Sequence, residues 1–267
     1  MEINTATLKT LKDIPFIEIG GSQILGTRKN QQDSYGWLEK DNELLAVVCD
    51  GMGGLSGGEL ASKVTVEMIL GKFSGIQGEC LPPQFFREAV NEADLIVHDF
   101  DEDGKSINAG TTIVAVHIKD NKLHWLSVGD SHIYIIRRNE ILSVCAEHNY
   151  GELLKKRLEA GEISQTEYEA DTKRKDALTS YIGIGGVKLM EINDIPLSLV
   201  GDDMIILCSD GLFKTLLDAD IMRSAFEYKL NAGRCAEYLT ETAMKLTKGS
   251  QDNTTAIVIH YNGDIFT

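Results

Sequence analysis

Basic residues are scarce in this chain. Lysine and arginine total 26 against 41 aspartates and glutamates over 267 residues, a formal net charge of −15. Nucleic-acid binding through phosphates needs a basic face, so this balance excludes that class of partner. Cysteine is sparse as well. Cys49, Cys80, Cys145, Cys208 and Cys235 are scattered and form no Cys-x-x-Cys pair. That excludes a zinc ribbon and a disulfide framework, and it fits a reducing, cytoplasmic setting. No apolar run approaches the roughly 20 residues of a membrane span, so no membrane partner is expected. Residues 1–15 lack the basic start and apolar core of a secretion signal. Internal repeats and low-complexity stretches are absent too. What is there suits a globular chain: 43% hydrophobic residues and enough length to bury a sizeable core. We read 1–267 as one domain and a monomer, with 1–14 as a loose polar arm.

Aspartates stand at the ends of apolar segments. Asp50-Gly51-Met52-Gly53-Gly54 follows the apolar run 44–49, and Gly57-Gly58-Glu59 comes soon after. Asp210-Gly211 follows 204–209, and Asp130-Ser131 follows 123–129. Asp252-Asn253 precedes 254–259, and Asp33 closes the polar run 28–32. Each is a good turn former by itself. Five together imply a second reading. If the strand ends converge, the carboxylates share a small volume and need a compensating cation. An all-oxygen ligand set points to Mg²⁺ or Mn²⁺.

Periodicity places strands near 16–25, 35–39 and 44–50. Helices follow at 58–73, with Leu60, Val64, Met68 and Ile69 as its apolar positions, and after Pro82-Pro83. On the second helix Phe86, Ala89, Val90, Ala93, Ile96 and Val97 mark the apolar face, with Glu88, Glu92 and Asp94 turned away. Strands at 111–119, 122–129 and 131–137 come next, the first two joined by an Asp120-Asn121 hairpin. Residues 147–182 are charged, with helical stretches near 153–158 and 166–170. The rest reads as strands at 187–192 and 203–209, helices at 211–217, 219–228 and 232–247, and a strand at 254–260. Strict βαβ alternation is absent, which argues against a doubly wound parallel fold and fits helices packed outside sheets. Cys49 and Cys208 sit inside strand runs and read as small core residues.

Six strings occur together in one order: Arg28-Lys29-Asn30-Gln31-Gln32-Asp33, Asp50-Gly51-Met52-Gly53-Gly54, Gly110-Thr111-Thr112, Val128-Gly129-Asp130-Ser131, Cys208-Ser209-Asp210-Gly211-Leu212 and Asp252-Asn253-Thr254-Thr255. Their order over 24–259 resembles the metal-dependent type 2C serine/threonine protein phosphatases (PPM family), in the bacterial form with Met after Asp-Gly. The resemblance implies an α+β fold, a four-layer αββα sandwich of two antiparallel sheets between helices, with a flap at 147–182. It implies hydrolysis of phosphoserine and phosphothreonine by a hydroxide bridging two Mn²⁺ or Mg²⁺ ions. Asp33, Asp50, Asp210 and Asp252 would be the side-chain ligands and Gly51 would lend its carbonyl. Asp130 with Asp210 would hold a third, weaker ion, and Arg28 would grip the substrate phosphate. The partners would be phosphorylated proteins, the targets of a cognate serine/threonine kinase.

Two histidines of related enzymes are missing, replaced by Met52 and Leu55. The leaving-group proton would then come from a metal-held water or from a residue these motifs do not name. His132 stands where relatives carry arginine, and His148 reads as a solvated loop residue. Thr111 and Thr112 read as structural. The triplets Lys155-Lys156-Arg157 and Lys173-Arg174-Lys175 serve either as a solvated helix face beside Glu152, Glu159 and Glu169, or as a dock for acidic phosphoprotein segments. Two other readings of the chain are a non-catalytic phosphoprotein-binding or sensing module and a small-molecule phosphohydrolase.

Overall fold

The computed structural model describes residues 17–53, 57–102, 105–106 and 109–263. The arm at 1–14, Gly54 and Leu55 lie outside the described residues. In chain order the elements are β1 (Ile17–Ile24), β2 (Asp33–Lys40), β3 (Glu43–Gly53), α1 (Gly57–Ser74), α2 (Pro82–His98), β4 (Asp101–Glu102), β5 (Lys105–Ser106), β6 (Ala109–Thr111), β7 (Ile113–Lys119), β8 (Lys122–Val128), β9 (His132–Arg137), β10 (Glu140–Ser143), α3 (Tyr150–Glu159), α4 (Gln165–Asp171), β11 (Glu191–Ile192), β12 (Leu197–Ser198), β13 (Asp203–Cys208), α5 (Asp210–Phe213), α6 (Asp218–Glu227), α7 (Ala232–Leu246) and β14 (Thr254–Tyr261).

Two antiparallel sheets form the centre. One runs β1-β14-β13-β9-β10; the other runs β11-β8-β7-β3-β2, with β12 on β8 and β6 on β3. Alternate residues of each central strand enter different layers. On β3, Leu44, Ala46 and Val48 face the opposite sheet, and Leu45, Val47 and Cys49 pack beneath α1 and α2. On β13, Ile205 and Leu207 point between the sheets, while Met204, Ile206 and Cys208 meet α6 and α7. Both faces are covered, which is why these strands read as unbroken apolar runs. Each buried Val, Leu, Ile or Met among them contributes about 1.5–3 kcal/mol by leaving water. The result is the expected four-layer αββα sandwich. Cys49 and Cys208 are core residues, and burial raises both thiols well above their usual range.

Several details differ from the sequence reading. Helix α1 buries Ala61, Thr65, Val66, Ile69 and Phe73, while Leu60 is 43% exposed. Its N-terminus lies so close to β3 that small residues, not the large ones, must face the sheet; a Cβ on Gly58 would sit 2.9 Å from the Gly51 carbonyl carbon. On α2, Asp94 points inward rather than outward. It is 2% exposed and accepts from the N–H groups of Gly183, Gly185 and Gly186 at 2.7, 3.2 and 2.5 Å. Ile96, assigned to the apolar face, is 38% exposed. The strand expected at 187–192 is only Glu191–Ile192, and β10 and β12 are short additions to sheet edges. The Asp120-Asn121 hairpin is as expected, both residues having positive φ.

At the start of β3, Glu43 is buried and balanced. It accepts from His117 Nε2 at 2.7 Å and pairs with Lys119 Nζ at 2.7 Å, with Cys80 close by. Among the described residues no helix is long and apolar enough to cross a membrane.

Candidate metal centre

The motif-bearing ends of the two sheets meet at one side of the sandwich. Asp33 opens β2 and lies directly across from Asp50 near the end of β3. Asp130 precedes β9, Asp210 follows β13, and Asp252 precedes β14. A cleft of about 350 Å³ brings Asp50, Gly51, Asp130, Asp210 and Asp252 together with Arg28. Asp33 lies in the wall just behind, close enough to Asp210 and Asp252 for their charges to repel its own. All seven residues singled out from the sequence thus converge.

Loop chemistry fixes these positions. The Asp50 N–H donates to Thr112 Oγ1 at 3.0 Å, and the Asp50 carbonyl accepts from Thr111 Oγ1 and Thr112 N–H, both at 2.9 Å. The two threonines therefore clamp the main chain at Asp50, the structural part expected of them. A side chain at Gly51 would collide with the Gly58 and Gln32 carbonyls, at 2.1 and 2.5 Å from its Cβ. Only glycine allows the backbone to pass so closely. Gly129 has a φ of +105° and turns the chain into Asp130. His148 locks that turn. It is 7% exposed, its Nδ1 accepts from the Gly129 N–H at 3.1 Å, and its own N–H donates to the Gly129 carbonyl at 2.8 Å. The solvated reading of His148 is therefore wrong; a contact 19 residues away buries it. His132 stacks on Phe213 with ring centroids 3.8 Å apart and lies 3.2 Å from Glu147.

Electrostatically the centre is overloaded with negative charge. Burial pushes the Asp33 carboxyl up to about 7; the Ser209 and Thr255 hydroxyls, which donate to its Oδ2 at 2.7 and 2.8 Å, offset part of that, and Asp210 and Asp252 add repulsion. Asp50 is driven well above the ordinary carboxylate range, by burial first and then by Asp33, Asp210, Asp130 and Asp252. Burial and Asp210 lift Asp130 to about 6, against the pull of Lys214. The buried Oδ1 of Asp33 finds no hydrogen-bond donor among the described residues. Orphaned oxygens and crowded carboxylates are what a divalent cation relieves, and hard oxygen donors suit Mn²⁺ or Mg²⁺. The residues present therefore fit a metal centre.

Sequence reasoning gave no role to four neighbours. Asn253 Oδ1 accepts from the Gln32 N–H at 2.8 Å, and its Nδ2 donates to the Leu25 carbonyl at 2.9 Å, tying the Arg28 loop to the Asp252 loop. Asp176 and Leu178 reach the cleft from the flap. Lys214 sits between Asp210 and Asp130. Burial alone would lower its ammonium, but Asp210 and Asp130 outweigh that and raise it. Its i,i+4 spacing from Asp210 was the available signal. Arg28 Nη2 lies 2.5 Å from Asp252 Oδ2, with 54% of the side chain exposed.

The family model described as Protein phosphatase 2C matches residues 21–246. A serine/threonine phosphatase stp of Listeria welshimeri is 26% identical over 240 residues, covering 88% of this chain and 92% of that protein. The structure of the S. agalactiae serine/threonine phosphatase superposes with a TM-score of 0.80 at 25% identity, covering 91% and 99% of the two chains. The catalytic domain of the phosphatase PstP, in complex with two manganese ions, shares the fold with a TM-score of 0.72 at 21% identity, covering 91% and 97%.

Proposed function

This chain belongs to the protein phosphatase 2C family and acts as a protein serine/threonine phosphatase, and we propose that its five-aspartate cleft is the active site. The observation that carries the proposal is the convergence of Asp33, Asp50, Asp130, Asp210 and Asp252 at one end of both sheets, with their charge uncompensated by enough cations. Asp33, Asp50, Asp210, Asp252 and the Gly51 carbonyl would hold two Mn²⁺ or Mg²⁺ ions. When bound, such ions neutralise phosphoryl charge and make a water nucleophilic at neutral pH.

The protein's own groups do the rest. Asp50, its main chain held by Thr111 and Thr112, would fix where the ions gather. Ser209 and Thr255 orient one oxygen of Asp33 and leave the other free to act as a ligand. The Arg28 guanidinium, exposed at the rim, presents a planar fork to the phosphate of the substrate. Met52 lines the cleft and offers no proton, so a leaving serine or threonine would take its proton from a water or from another group of the cleft. The open, flap-bordered cleft suits a phosphorylated segment of a protein modified by a serine/threonine kinase. A monomeric, cytoplasmic enzyme fits the acidic surface and the unpaired cysteines.

The test is hydrolysis of phosphoserine and phosphothreonine peptides, nucleotides and sugar phosphates with added Mn²⁺, beside the Asp210→Asn variant. Phosphopeptides should be preferred and Asp210→Asn should lose at least a hundredfold in rate, in line with removing a charged catalytic group. Preference for a small phosphate ester, or an unaffected Asp210→Asn enzyme, would defeat the reading.

A further inference from the structure

We infer that the Lys214 ammonium occupies the place of a third cation, so that this enzyme binds two divalent ions where the Asp130–Asp210 pair would otherwise invite another. The inference rests on the two-metal reading above and concerns the outer edge of that same cleft.

Helix α5 begins at Asp210, and one turn later the chain reaches Lys214. Side chains four apart on a helix lie on the same face. Lys214 Nζ is 2.5 Å from Asp210 Oδ2 and 3.9 Å from Asp130 Oδ2. Those two carboxylates are the ones an additional ion would have to share. They come from different sheet connections, Asp130 from the β8–β9 turn and Asp210 from the end of β13, and Lys214 bridges them.

Charge and geometry both favour the ammonium as an occupant. Asp130 and Asp210 are 9% and 17% exposed in their side chains, so the negative potential between them is poorly screened by water. Asp176 adds a carboxylate from the flap side. Nothing else with a positive charge is paired with Asp130 among the described residues. An ion touching both carboxylates would lie within a few ångströms of Nζ, where like charges repel strongly. An ion bridging Asp130 Oδ2 and Asp210 Oδ2 and this lysine in its present place therefore exclude one another, while Lys214 leaves the other oxygen of Asp210 to the two core ions. Lysine also differs from a metal in what it provides: one positive charge on a tethered stem, three N–H donors and no open coordination position. Asp130 is left as a partner for Lys214 rather than a ligand.

The test counts Mn²⁺ bound per chain at saturation, by the electron paramagnetic resonance signal of free Mn²⁺ in a titration. Wild type is compared with Lys214→Ala, with Lys214→Gln, which retains most of the stem, and with Lys214→Ala/Asp130→Asn; circular dichroism checks that each is folded. The expected result is two ions for wild type, three for both single variants, and two again for the double variant. Three ions on wild type, or two on both single variants, would overturn the inference while leaving the two-metal reading intact. Three ions on the double variant would place the extra ion elsewhere and overturn it as well. No binding to wild type would remove the two-metal reading and the inference with it.

Discussion

Asp33 carries a stability cost that its position in the centre explains. Its carboxyl is raised from 3.8 to about 7, chiefly by burial. The folded protein therefore holds a proton between those values that the unfolded chain has released. Stability from that proton is complete below about pH 4 and is lost as pH rises through about 7. In chelator, Asp33→Asn should then melt a few degrees above wild type at pH 8 and match it near pH 4. Added Mn²⁺ should raise the wild-type midpoint, since a ligand of the folded state alone stabilises it, and should do so much less for the variant. Thermal melts across that pH range measure both effects. Parallel pH profiles for the two proteins would contradict the electrostatic description of Asp33. Arg28 is different in kind: exposed at the rim and paired with Asp252, it costs little to hold and is placed to exchange one anion for another.

At the scale of elements, the flap is the segment whose role is most open to test. Its two helices are well specified locally. Asn149 caps α3 by accepting from the Glu152 N–H, and Ser164 and Glu167 form a capping box on α4. Lys155 pairs with Glu152 at 3.6 Å and Arg157 with Glu162 at 3.5 Å, so part of the first basic triplet is a solvated helix face. Arg174 of the second lies over the Tyr150 ring, 5.8 Å from its centroid. Exposed pairs of this sort are worth little to stability, which leaves the triplets free to meet an acidic substrate. Replacing both with glutamine should slow turnover of a phosphoprotein several-fold and spare an aryl phosphate. Equal phosphoprotein rates would reduce the triplets to surface charge. The flap also shows where sequence patterns stop informing. Its helices were legible because caps and charge pairs are local. Asp94 was not, because the three glycine N–H groups it accepts from lie about ninety residues away along the chain. The same holds for His148, whose partner is Gly129. At the N-terminal end of α1 the face was misjudged because Leu60 was weighted over Gly58 and Ala61, which close contact with β3 requires; Ile69, farther along, is buried as read.

For the whole molecule, the continuous apolar runs of β3, β7, β13 and β14 made buried strands readable, since both faces of each strand needed burial, while their arrangement in two sheets followed from the resemblance. The aspartates were readable for a related reason: all but Asp33, which closes a polar run at the start of β2, flank an apolar run. Convergence of the five could be expected from the order of motifs but became geometry only when antiparallel pairing brought both sheets' ends to one side. The acidic surface, with its net charge of −15, is compatible with a centre that must gather cations. One measurement bears most directly on that centre: phosphate release from a phosphoserine peptide by wild type and Asp50→Asn while Mn²⁺ is titrated from chelated to saturating. A carboxylate-held divalent centre requires activity to rise from near zero with Mn²⁺ for wild type and to stay at least a hundredfold lower for Asp50→Asn at every concentration. Full wild-type turnover in chelator, or an Asp50→Asn enzyme as active as wild type, would contradict it.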